Sequence, residues 1–174
     1  WRLAGDPLTL EAGLILVPMG ATNLRHEPPV FNGVSRPETE ELVIPSTWRE
    51  LGVGLSGQHG ALGYALYAMT PLDPEEFGAD GVRGGKTNGG LSPATAVALT
   101  GRIEVEPVLG TVIALSAYGS DAGPAGDWYD GTGERLDLLV PVLGGALDAR
   151  WSWRGLGARG LAVGWSMPES ATRI

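Results

Sequence analysis

Apolar and polar positions alternate with a period of two along residues 97–118. Val97, Leu99, Ile103 and Val105 share one parity, with Gly101 between them, while Ala98, Thr100, Arg102 and Glu104 share the other. After a break at 106–110, Thr111, Ile113, Leu115 and Ala117 alternate with Val112, Ala114, Ser116 and Tyr118. Period two puts successive side chains on opposite faces of a strand, so this stretch predicts a β-hairpin with one apolar face. Each arm has roughly the 9–11 residues that a tilted strand needs to cross a bilayer. A soluble sandwich with its polar face in water shows the same alternation, and the connections separate the two readings.

The same pattern predicts further strands over Leu8–Val17, Trp48–Gln58 and Leu62–Met69. A sixth is read from Leu136, Leu138, Val140 and Val142, ending at a tight turn on Gly144-Gly145. A seventh sets Leu147, Ala149, Trp151 and Trp153 against Asp148, Arg150, Ser152 and Arg154. Long connections are expected near 21–47, 70–95, 119–133 and 155–174, and tight turns between them. Asp73 is placed to cap a short helical turn at Pro74-Glu75-Glu76-Phe77. Alternating long and short connections are the habit of outer-membrane barrels. The expected fold is therefore all-β: part of an antiparallel up-and-down transmembrane β-barrel, with residues 1–174 in one domain and about seven strands of a larger barrel. Trp48, Tyr64, Tyr118, Trp151 and Trp153 fall near strand ends, as interfacial girdles do. The competing reading of these rings is the core of a soluble barrel.

Composition narrows the classes. The chain has 28 Gly in 174 residues and 18% charged residues, against a usual ~7% Gly and ~25% charged. There is no Cys, hence no disulfide framework, and the net charge of −8 argues against a general nucleic-acid binder. No apolar run is long enough for a transmembrane helix. The start at Trp1 and the undefined stretch from Glu169 to Ile174 read as the limits of a piece of a longer polypeptide.

If the apolar parity faces lipid, the polar parity lines the lumen. The pore-lining candidates are then Glu50, Arg102, Glu104, Arg135, Asp137, Asp148, Arg150 and Arg154. Interspersed signs set a transverse field and a weak ion preference, unless these residues pair with one another as structural ion pairs. Gly52, Gly54, Gly63, Ala65 and Ala98 on the same parity favour an open lumen. Arg83 and Lys86 lie on the 70–95 connection. They form an anion constriction if that loop folds inward, and a solvated surface otherwise. His26 and His59 show no metal-ligand spacing, so no metal or other cofactor is expected. Ser46, Ser56, Ser116 and Ser152 have no evident His partner, so an enzyme is not expected either. Gly84-Gly85-Lys86-Thr87 lacks the spacing of a phosphate-binding loop.

Three runs carry a family likeness. The first comprises Val17-Pro18-Met19-Gly20, Asn23, His26-Glu27-Pro28, Phe31, Gly33-Val34, Arg36-Pro37, Ile44-Pro45, Thr47-Trp48 and Glu50. The second is Leu72-Asp73 with Gly81-Val82-Arg83-Gly84-Gly85, and the third is Leu99-Thr100-Gly101-Arg102 with Ser116-Ala117-Tyr118. Together they resemble bacterial outer-membrane porins related to the phosphate-selective porin O and P family, in the porin superfamily. The resemblance implies a transmembrane barrel of about 16 strands, passive diffusion of small solutes, outer-membrane lipid as the surroundings, and homotrimers. Phosphate selectivity is not implied, because the Arg ladder and Lys cluster of those channels have no counterpart among the 12 Lys and Arg here. The alternatives are a non-conducting outer-membrane barrel, used for adhesion or structure, and a soluble all-β binding module.

Overall fold

The computed structural model describes residues 8–24, 43–45, 47–79, 81–90, 96–122, 128–129, 135–168 and 171–173. Its strands are β1 (Thr9–Leu16), β2 (Arg49–His59), β3 (Leu62–Met69), β4 (Ala98–Val108), β5 (Thr111–Ala122), β6 (Trp128–Tyr129), β7 (Arg135–Trp153), β8 (Leu156–Ser166) and β9 (Ala171–Arg173). One helical turn, α1 (Ala21–Leu24), and a 3-10 turn at Pro74–Glu76 complete the elements. Asp73 caps the 3-10 turn, as expected, by accepting from Glu75 N at 3.0 Å.

Seven long strands, β1 to β5, β7 and β8, form one antiparallel up-and-down sheet in chain order. The sheet is not closed: among the described residues β1 and β8 are not paired with each other. Tight turns at Gly60-Ala61, Leu109-Gly110 and Arg154-Gly155 lie at one end, and the long connections at the other.

Two expectations fail along the last third of the chain. Gly144-Gly145 is not a turn: β7 runs through it for 19 residues. The stretch 155–174 is not a long connection, because β8 returns there and pairs with β7 from Leu143↔Ser166 to Trp153↔Leu156. The turn lies ten residues later, where Arg154 and Gly155 take φ of 46° and 84°, the pair of positive values that a type I′ hairpin needs. Pro141 does not break β7, because it falls in the gap between the β8 ladder, which reaches Leu143, and the β9 ladder, which begins at Leu139.

The sheet has inverted polarity. Outward positions are apolar and exposed, including Val53, Leu66, Leu99, Ile103, Leu115 and Leu147, each 51–60% exposed. Among the described residues, no charge stands on this face between Arg49 and Asp121 at the loop end and the tight turns at the other. The opposite, inward parity carries Glu50, Thr100, Arg102, Ser116 and Asp148, all buried.

The sheet is also strongly curved toward that inward face. β2 and β8 are five strand steps apart, about 24 Å along the sheet, yet the rings of Trp48 and Trp165 are 6.0 Å apart. Tyr118 fits between them, at 5.0 Å from Trp48 and 5.8 Å from Trp165. With Val17, Met19, Ile44, Leu72 and Val82 from the connections, these rings form the core at the loop end of the inner face. Trp48 and Tyr118 are thus core residues and not an interfacial girdle. Trp151 and Trp153 do face outward near the tight turns, stacked at 6.5 Å, with the Arg154 guanidinium 4.8 Å over Trp153.

Candidate pore wall and inner loop

The inner face divides into two zones along the strand direction. At the loop end it is filled by the core just described. Toward the tight turns it opens into a cavity of about 630 Å³, whose lining includes Ser56, Gln58, Tyr67, Arg102, Glu104, Asp148 and Arg150.

Arg102 organises the open zone. It projects from β4, opposite Ser116 of β5, and reaches over that strand to Asp148 on β7. Its Nη1 donates to Asp148 Oδ2 at 2.6 Å and its Nη2 to Oδ1 at 3.0 Å, a forked pair with both side chains more than nine-tenths buried. Nη1 also donates to Ser116 Oγ at 3.1 Å, and Nε to Glu104 Oε2 at 3.3 Å. The bridge requires small residues beneath it, and Ser116 and Ala114 are what β5 presents there. A second polar group lies toward β1. Glu11 accepts from Ser56 Oγ at 2.6 Å and from Tyr67 Oη at 3.1 Å. Tyr67 spans β2 to reach it because the intervening residue is Gly54. A Cβ there would stand 2.4 Å from the Tyr67 ring and 2.2 Å from the Leu66 carbonyl oxygen.

The eight pore-lining candidates therefore separate. Arg102, Glu104, Asp148 and Arg150 come together at the cavity. Glu50 is on the same face but at the loop end, fully buried. Arg154 is in the β7–β8 turn, not on the strand wall. Arg135 and Asp137 lie on the first segment of β7, which pairs with β6 and β9 instead of β5 and β8, and their side chains are outside the described residues. The small residues are inward and Gly63 and Ala65 line the cavity, but Met69 packs over Gly52 and Tyr67 over Gly54. Ala98 is fully buried. That part of the expected open space is filled by neighbours. Glu11 and Tyr67 were not singled out by spacing; the inward parity that they share with Glu50 and Thr100 was the available signal.

The described part of the connection between β3 and β4 packs against the loop end of the inner face. Leu72 and Val82 are buried in the core, and Leu72 N donates to Tyr118 Oη at 3.1 Å. Asp73 N donates to Gly85 O at 2.7 Å, closing the connection on itself. Arg83 and Lys86, the two constriction candidates, are half-buried within it. The β1–β2 connection is held in a similar way. Asn23, buried, donates from Nδ2 to the carbonyls of Val17 and Trp48 at 2.7 and 2.9 Å and accepts from Trp48 N at 2.8 Å. His26 and the motif residues Glu27 to Pro37 lie outside the described residues. Among the described residues no three His, Cys, Asp or Glu side chains cluster in a way that would hold a metal.

No protein-family model matches the chain, and no solved structure matches it. The chain is 38% identical over 98 residues to a protein of Aquifex aeolicus (strain VF5) that bears the name "Uncharacterized protein". The match takes in 55% of this chain and 22% of that relative, so the chain spans about a fifth of the relative's length.

Proposed function

We propose that this chain is part of an outer-membrane β-barrel that lets small polar or ionic solutes cross by passive diffusion. The observation that carries the reading is the inverted polarity of the sheet. A soluble sheet turns its apolar face inward, whereas here that face is exposed and uncharged and the ions are inside. In lipid this arrangement is the stable one, since Arg or Lys on the lipid face at midplane costs about 2–4 kcal/mol. The likeness to the phosphate-selective porin group supports the same reading and adds a trimeric assembly to it. The two sheet edges, β1 and β8, run in the same direction. Fully antiparallel closure therefore takes an odd number of further strands, in keeping with the even totals of such barrels.

On the wall of the cavity Arg102 is engaged with Glu104, Asp148 and the Ser116 hydroxyl. A second reading, a non-conducting barrel, is favoured by the aromatic core and inner loop that fill the loop end. Single-channel recording of the full-length protein in a planar bilayer under a salt gradient decides between them. Discrete conductance steps are the expected result. No steps from a protein shown to be folded in the same bilayer would contradict the channel and leave the structural barrel.

A further inference from the structure

Glu50 is the most enclosed ionisable group among the described residues, with 0% of its surface exposed. Its partners are all neutral. Oε1 accepts from Trp48 Nε1 at 3.2 Å and from Thr87 N at 3.0 Å. Oε2 accepts from Thr70 Oγ1 at 3.2 Å and from Thr87 Oγ1. A carboxylate has about four acceptor sites, so this set leaves none for a passing solute. The two threonines are also not neighbours in sequence. Thr70 opens the β3–β4 connection, where its N still donates to Leu51 O of β2 at 2.8 Å, and Thr87 lies about two-thirds of the way along it, so one side chain on β2 ties a distant point of the connection back to its start. Between those two points sit Leu72 and Val82, the loop's contributions to the core over the inner face.

We propose that Glu50 is a positioning residue, the latch that holds residues 70–79 and 81–90 of the β3–β4 connection as a lid over the loop end of the lumen. The connection's backbone bonds to itself, at Asp73 N to Gly85 O, Gly85 N to Val82 O and Gly90 N to Thr87 O, and these bonds stay intact when the part beyond Thr70 lifts, which breaks the bond from Leu72 N to Tyr118 Oη. Removing the carboxylate leaves Thr70, Thr87 and Trp48 with unpaired donors in the closed state and favours the lifted one. The inference rests on the channel reading only for its effect on current; the latch itself is tested without current.

The chain has no cysteine, so one introduced thiol reports alone. Val82→Cys, buried in the closed loop, is treated with a membrane-impermeant maleimide in the folded full-length protein, with exposed Ala79→Cys as the reference. Val82→Cys is expected to label about tenfold or more slowly than Ala79→Cys, and Glu50→Ala to abolish most of that difference. Thr87→Val, which deletes one donor and leaves the sheet untouched, is expected to give an intermediate rate and decides the matter if Glu50→Ala does not fold. Val82→Cys still protected in folded Glu50→Ala, or in Thr87→Val where that is the deciding variant, would overturn the latch. Released labelling supports the latch whether or not the protein conducts. A larger conductance step in the released variant supports latch and channel together.

Discussion

Arg102 and Asp148 sit on strands that are not neighbours, and their pairing depends on what β5 places between them. Ser116 and Ala114 are small enough to let the guanidinium lie across the strand, and Ser116 adds an acceptor of its own. The alternation of polar positions identified both ions, but alternation within one strand says nothing about reach across two. The pair formed is Arg102–Asp148, supplemented by the intrastrand Arg102–Glu104 contact at 3.3 Å. Removing one member leaves the other charged and buried, a change that costs about 3–5 kcal/mol. Asp148→Ala is therefore expected to lower unfolding stability by that amount in denaturant titration. Arg102→Leu with Asp148→Leu together is expected to recover most of the loss. A small effect of the single change would mean that water screens the pair.

At the scale of elements, the instructive residues are those of β7. Val140 and Val142 are apolar on the inward parity, whereas Leu143, Leu147, Trp151 and Trp153 are apolar on the outward one. In sequence this change of phase, at Gly144-Gly145, is indistinguishable from a hairpin turn. In the fold it is one continuous strand passing between two surroundings. Near the loops its apolar side faces the inner core, and farther down its apolar side faces outward. Gly144 is needed for a different reason: the Trp165 ring lies over it, 2.3 Å from where a Cβ would stand. The β7–β8 register follows directly from this correction. Cysteines at Ala149 and Gly160, partners across the two strands, are expected to crosslink under mild oxidation, since Gly160 has open space for a side chain. Failure of that pair to crosslink in the folded protein would contradict the continuous strand.

The first five strands were legible from their alternation, most plainly where one parity is apolar and the other is not; β1, apolar on both parities at Ile15 and Val17, was legible as a strand but not in its facing. Leu51, Val53 and Leu55 declare the outward face of β2 as plainly as Leu99 and Ile103 do that of β4. Of the site, the ions of β4 and the Asp148-Arg150 segment were legible on the same grounds. The role of Glu50 was not, because its partners come from Thr70 and Thr87 in a connection with no period to read. Trp48 and Tyr118 looked like girdle residues for a related reason. Strand ends in such a sheet are also where the loops fold over the inner face, and a ring there can serve either surrounding.

For the whole molecule the decisive property is which face meets what. The outward face is apolar over about nine residues on β4 and on β5, a length that suits the hydrocarbon core when strands tilt. The curvature that brings Trp48 to Trp165 turns the polar face into a concave wall with the cavity of about 630 Å³ against it. The proposed channel activity and trimeric assembly depend on this one assignment of faces. It is tested most directly by a nitroxide scan along β5, one cysteine at a time from Val112 to Gly119, in the full-length protein reconstituted in lipid. Positions 113, 115, 117 and 119 should be the more accessible to oxygen and protected from a water-soluble relaxant, and 112, 114, 116 and 118 should lack that oxygen exposure. The same period of two with the odd positions open to the water-soluble relaxant would place the apolar face in water and contradict the membrane barrel.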